Sequence, residues 1–130
     1  MISRTELRKL ARARLADSKV LYEERRYDGA VYLSGYAIEL ALKARICRTL
    51  KWTEFPLSNK EFESYKSLRT HNLDVLLSLS GIEPKIKAGH LTEWSVIATW
   101  DPEVRYKSTK AKRNDALAMI DAVERLLKVL

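Results

Sequence analysis

Two groups of residues in this chain have types and spacings that could do chemistry. The first is Glu39 with Lys43, set in the apolar stretch AVYLSGYAIELALKARICRTL. On a helix, residues four apart are neighbours one turn away from each other. Tyr32, Gly35, Tyr36, Ile46 and Leu50 fall on the same side, and Ser34, Arg45 and Arg48 group on another, which reads as solvated. A charge on an apolar helix face must be paired or hydrated. The pair is therefore either an ion pair within the helix at a helix or dimer contact, or the floor of a polar groove.

The second group is basic: Arg105, Lys107, Lys110, Lys112 and Arg113, with no acidic residue between Val104 and Asn114. Lys110, Lys112 and Arg113 fall near the start of the last expected helix, where the helix dipole favours negative charge. A bound phosphate would resolve that conflict, because helix starts bind anions. Tyr106, beside Arg105, is suited to stacking on a base. The alternative is a solvated basic loop.

The other reactive side chains are few. His71 follows Arg69 and Thr70 at an expected helix start, and His90 is the second histidine of the chain. No HExxH motif or other metal-ligand spacing occurs, and no GxSxG or phosphate-binding glycine loop is found, so no metal or cofactor is expected. Cys47 is the single cysteine; it reads as a small core residue, and a disulfide within the chain is excluded. Asp17, Glu23 and Glu24 read as solvated carboxylates.

The elements that must position these groups are helices. Ser3 and Glu6 form a capping-box pattern, so a helix starts near residue 4. Leu7, Leu10, Ala11, Leu15, Ser18, Leu21 and Tyr22 recur on one side at about 100° per residue. Arg14 falls at the edge of that stripe. After the break Tyr27-Asp28-Gly29, with Asp28 as cap, a second helix runs to about Leu50 and forms the central element. Gly35 within it points to a close approach by another element. Pro56 interrupts the mixed segment 51–68, where Asn59 could cap a turn carrying Phe62 and Tyr65. A third helix begins at Thr70, buries Leu73, Leu76 and Leu77, and ends at Gly81, with Pro84 just beyond. A fourth spans about Thr92 to Thr99, with Leu91, Trp94, Ile97 and Ala98 inward. The last carries Ala116, Ile120, Val123, Leu127 and Leu130 at helical spacing. No strand pattern is found.

The expected fold is all-α, an antiparallel up-and-down bundle of four to five helices, with residues 1–130 as one domain. Hydrophobic residues make up 46% and charged residues 32% of the 130, enough for a core and too apolar for disorder. No apolar run reaches the length of a membrane span and no signal-peptide pattern opens the chain, so a cytoplasmic protein is expected. The formal net charge of +7 favours phosphates or acidic partners.

The stretch AVYLSGYAIELALKARI resembles the signature helix of the HEPN domain (higher eukaryotes and prokaryotes nucleotide-binding), with Glu39 and Lys43 at its Glu and Lys positions. THNLDVLL resembles the His-x-Leu start of that family's next helix, through His71 and Leu73. WDPEVRY resembles its Arg-Tyr element, through Arg105 and Tyr106. The resemblance implies a helical bundle that commonly dimerises. It also implies a toxin–antitoxin-like pairing with a minimal nucleotidyltransferase and, in many members, metal-independent ribonuclease activity. That activity uses an Arg and a His separated by four to six residues. Here Lys66, Tyr65 and Ser64 stand at those offsets before His71, and Lys85, Pro84 and Glu83 before His90. At the offsets after Arg113 stand Ala118, Met119 and Ile120.

The leading expectation is a homodimeric nucleotide- or RNA-binding module without the usual ribonuclease motif. Arg105, Tyr106, Lys110 and Arg113 would contact phosphate or base; Glu39, Lys43 and His71 would be polar groups of the groove or dimer seam. The alternatives are a ribonuclease using His71 with Arg69 or Arg105, and a purely protein-interacting subunit.

Overall fold

The computed structural model describes residues 1–103 and 110–130. It is mostly helical. Helix α1 (Arg4–Glu23) opens on the capping box: Ser3 Oγ accepts from the Glu6 backbone N–H at 3.1 Å, and the Glu6 carboxylate accepts from Ser3 N–H at 3.3 Å. Its buried residues Leu7, Ala11, Leu15 and Ser18 repeat at three and four, whereas Leu10, Leu21 and Tyr22 are half-buried. Arg14 sits at the stripe's edge and pairs with Asp17 at 3.1 Å.

Helix α2 (Tyr27–Leu50) is buried on most sides, as its composition requires. Asp28 does not cap it. The N-cap is Arg26, without a side-chain bond, and the Asp28 carboxylate instead accepts the Ala111 backbone N–H at 2.5 Å. The solvated side also needs correction. Ser34 is fully buried, its hydroxyl donating to Ala30 C=O at 2.7 Å. A helical serine can conceal its polarity in this way by bonding back to the preceding turn. Arg48 is exposed and Arg45 half-buried.

A two-stranded antiparallel ladder was not foreseen: β1 (Ile2–Ser3) pairs with β2 (Glu54–Phe55). Strands of two residues carry no readable alternation. The following turn is started by Ser58, whose backbone and side-chain oxygens accept from Phe62 and Glu61, not by Asn59. Phe62 is buried and Tyr65 exposed.

Helix α3 (Leu73–Leu79) begins three residues later than the expected start at Thr70, because Asn72 is the cap: its Oδ1 accepts from Asp74 and Val75 N–H. Gly81 then takes φ +80°, the left-handed region that glycine tolerates best. Pro84 does not mark a loop. It stands in the first turn of α4 (Glu83–Gly89), where proline's missing N–H costs nothing. Helix α5 (Leu91–Ile97) buries Trp94 and Ile97 but leaves Leu91 and Ala98 exposed. Helix α6 (Arg113–Leu127) buries Ala116, Ile120, Val123 and Leu126, with Leu127 half-buried. The described residues thus hold six α-helices, α4 being additional to the sequence reading. Helix α2 packs against α1, α3 and α6, and all of them share one core. Among the described residues, no helix is long and apolar enough to cross a membrane.

Candidate functional site

The Glu39 carboxylate is 1% exposed and is gripped from two sides. Lys43 Nζ donates to one oxygen at 3.1 Å, and His71 Nδ1 lies 2.9 Å from the other. The pair on α2 is thus a three-residue cluster that reaches α3 through the segment before its cap. Burial differs sharply within it: the Lys43 side chain is 16% exposed and His71 67%. Lys43 also lies over the Phe55 ring, Nζ 5.6 Å from the centroid, within cation–π range. The arrangement fixes the imidazole by one nitrogen and leaves the ring open to solvent. Arg69 is exposed, and its hydrogen bond runs from its backbone N–H to Lys66 C=O rather than to His71.

Gly35 lies on the same helix one turn before Glu39, and the indole of Trp100 covers it. A Cβ there would overlap Trp100 Nε1, Cδ1 and Cε2. The close approach anticipated from Gly35 is therefore made by a side chain just after α5, not by a helix backbone. Tyr32 flanks the same indole, with ring centroids 6.3 Å apart. Trp100 Nε1 is buried and has no hydrogen-bond partner among the described residues.

The second site lies at the other end of the α1–α2 hairpin. A cleft of about 680 Å³ is lined by Arg25, Arg26, Tyr27 and Lys110, among others. A smaller recess beside it shares Arg25 and Tyr27 and adds Tyr22, Glu23 and Arg113. Arg113 is the first residue of α6; its Nε donates to the Tyr22 hydroxyl at 3.0 Å and its guanidinium lies 5.9 Å from that ring centroid. The hydrogen bond to Tyr22, more than any other contact, holds the Arg113 pKa above its already high ordinary value. Tyr22 and Tyr27 pack tilted, 5.8 Å apart. Arg25 holds φ 61°, a left-handed conformation that is uncommon for a side chain of this size.

Of the basic run, Lys110 and Arg113 therefore share one surface, while Arg105, Tyr106 and Lys107 lie outside the described residues. The start of α6 already has two carboxylates of its own: Asp115 accepts from Lys112 N–H at 3.0 Å, and Asp28 accepts from Ala111 N–H. Arg25 and Arg26 were not singled out from the sequence. The usable signal was the run Arg25-Arg26-Tyr27 at the break between helices, since a charged turn joining two helices stands where another element's end can meet it. Among the described residues, no cluster of His, Cys, Asp and Glu could hold a metal ion.

The family model of the HEPN domain matches residues 5–54, from the first turn of α1 to the start of β2, and so includes Glu39, Lys43, Arg25 and Arg26. No curated protein and no solved structure matches the chain.

Proposed function

We propose, from the match of the HEPN family model to residues 5–54, that the chain belongs to that family and binds nucleotide or RNA phosphates in the cleft between the α1–α2 turn and the start of α6. The family assignment supports a nucleotide- or RNA-related module. The observation that carries the location is the convergence of Arg25, Arg26, Lys110 and Arg113 around Tyr22 and Tyr27. Cations at that density attract a phosphate backbone, and the tyrosine rings offer a surface for a base. Arg105 and Tyr106 remain proposed contacts to phosphate or base in this reading.

The test is fluorescence anisotropy of a labelled single-stranded RNA at several salt concentrations. Arg26→Glu, Lys110→Glu and Arg113→Glu should each weaken binding, and each should lower the salt slope by about one for every phosphate that is no longer neutralised. Binding that none of the three alters refutes this location.

The proposal includes an antiparallel up-and-down bundle that forms a homodimer. It also includes pairing with a minimal nucleotidyltransferase in a toxin–antitoxin-type system. Sedimentation of the purified chain and co-purification with the neighbour-encoded protein test these two parts. Glu39, Lys43 and His71 then serve the groove or the dimer seam.

One observation favours ribonuclease chemistry as a second reading: the solvent-facing imidazole of His71, anchored by a buried carboxylate. A histidine so oriented can exchange a proton with a ribose hydroxyl or a leaving oxygen. Labelled RNA cleaved by the wild type and not by His71→Ala supports it; equal cleavage by both, or none by either, removes it.

A further inference from the structure

A third concavity lies away from both sites, where α1, α2 and α6 meet. It encloses about 240 Å³. Its floor is apolar, formed by Ala11, Leu15, Ala41, Ala44, Leu127 and Leu130. The three alanines hold the space open, because any larger side chain at those positions would project into it. Arg8, Arg12, Arg45, Arg48 and Lys128 stand around it, with one carboxylate, Glu124. That carboxylate is already held by Lys19 at 2.8 Å. No carboxylate side chain among the described residues bridges Arg8, Arg12, Arg45 or Arg48.

Arg45 is the odd member. Its Nε is buried with no hydrogen-bond partner among the described residues, and its one bond is a long one, 3.4 Å, from a terminal nitrogen to a main-chain oxygen of Leu130. Burial first, then the charges of Arg48 and Arg8, push its pKa below the usual arginine value. Leaving a buried donor unsatisfied beside like charges is unfavourable unless an acceptor can enter.

We infer that this cavity binds a small anionic amphiphile, an aliphatic chain ending in one carboxylate, with the chain on the alanine and leucine floor and the carboxylate among Arg8, Arg45 and Arg48. Neither half of the site suits other occupants. A nucleic acid strand would use the cations and waste the floor, and a second copy of this basic face would bring like charges together. Along α1 the cavity's last lining residue, Leu15, and the first of the cleft proposed for phosphate, Leu21, are about 9 Å apart at 1.5 Å per residue, while Arg8 stands about 20 Å from Leu21. The two sites can therefore be tested separately.

Decanoate is the probe, titrated by calorimetry at neutral pH, with decanol as the uncharged analogue and acetate as the anion without a chain. Decanoate should bind about tenfold or more tighter than decanol, the gain expected of a charge-assisted hydrogen bond, and acetate should not bind measurably. Arg48→Glu and Arg8→Glu change exposed residues. Each should remove most of decanoate's advantage over decanol and leave RNA binding at the distant cleft within about twofold, as expected for independent sites. Equal affinity for decanoate and decanol, no binding of either, or decanoate binding untouched by both variants overturns the inference. Absence of amphiphile binding together with an intact thermal transition would reassign these cations to a macromolecular partner.

Discussion

Removing Lys43 should cost this protein far more than removing His71, although both touch the same carboxylate. Lys43→Met leaves Glu39, 1% exposed, with its charge uncompensated on one side. Breaking a buried pair by deleting one partner costs about 3–5 kcal/mol. His71 remains 2.9 Å away and the Lys43 side chain is itself 16% exposed, so water and the imidazole recover part of that loss. The expected cost is therefore about 2–3 kcal/mol. His71→Ala removes a ring that is 67% exposed, and water can take its place at the carboxylate. That change should cost less than about 1 kcal/mol. The double variant Glu39→Leu with Lys43→Met removes both charges and fills the same space, so it should return to within about 1 kcal/mol of the wild type. Urea unfolding followed by far-ultraviolet circular dichroism reads all three. With a slope of about 1–3 kcal/mol per molar, Lys43→Met should lower the midpoint by about 1 M or more. Equal midpoints for Lys43→Met and His71→Ala, or a double variant no more stable than Lys43→Met, would refute the claim that Lys43 is the principal counter-ion.

Gly35→Ala should destabilise by about 1–2 kcal/mol, because overpacking against Trp100 outweighs the roughly 1 kcal/mol of helix propensity gained. Gly89→Ala meets nothing within 4 Å and should be neutral or stabilising in the same urea assay; a shift of both variants in one direction would contradict this. Cys47 is fully buried and desolvation raises its pKa, so a disulfide reagent should label it slowly in the native protein and rapidly in urea; native labelling within about tenfold of the unfolded rate would count against the burial. The hydrogen bond from Lys19 holds the Glu124 carboxyl below its ordinary value of 4.5. A depressed folded value means that its contribution is present above the ordinary value and lost as pH falls through the folded value, so Glu124→Gln should flatten the acid limb of stability below the ordinary carboxylate range. An unchanged acid limb would show that Glu124 titrates alike in both states.

The helices were legible where periodicity was long. Helices α1 and α6 bury residues at three- and four-residue steps, α2 is buried on most sides as its apolar composition indicates, and the Ser3–Glu6 box marked a start that the structure keeps. Short elements were not legible. Helix α4 has seven residues and carries a proline, which reads equally well as a stop signal or a first-turn residue. The Ile2–Ser3 strand is too short to show alternation. Ser34 misled because a hydroxyl on a helix has a local partner, Ala30 C=O, that spacing arguments do not count. The Glu39/Lys43 pair stood out from sequence because charge on an apolar face is costly. Its link to His71 depends on how α3 docks, which local pattern does not encode. Arg25 and Arg26 were overlooked for the same reason: only the tertiary meeting of the hairpin turn with Lys110 and Arg113 makes them a group.

The short ladder between Ile2–Ser3 and Glu54–Phe55 has a mechanical consequence. It closes the α1–α2 hairpin into a ring, and Arg4 N–H adds a further bond to Thr53 C=O at 3.1 Å. A tension entering at Met1 and leaving through Pro56 passes across the ladder, while the chain between residues 4 and 53 carries none of it. Being antiparallel and loaded at one end, the ladder opens one rung at a time, and only then does the pull reach the helices. The segment matched by the family model lies almost wholly inside this ring. The closure thus shields the two helices that carry Glu39, Lys43 and the arginine turn from strain arriving through the ends of the hairpin.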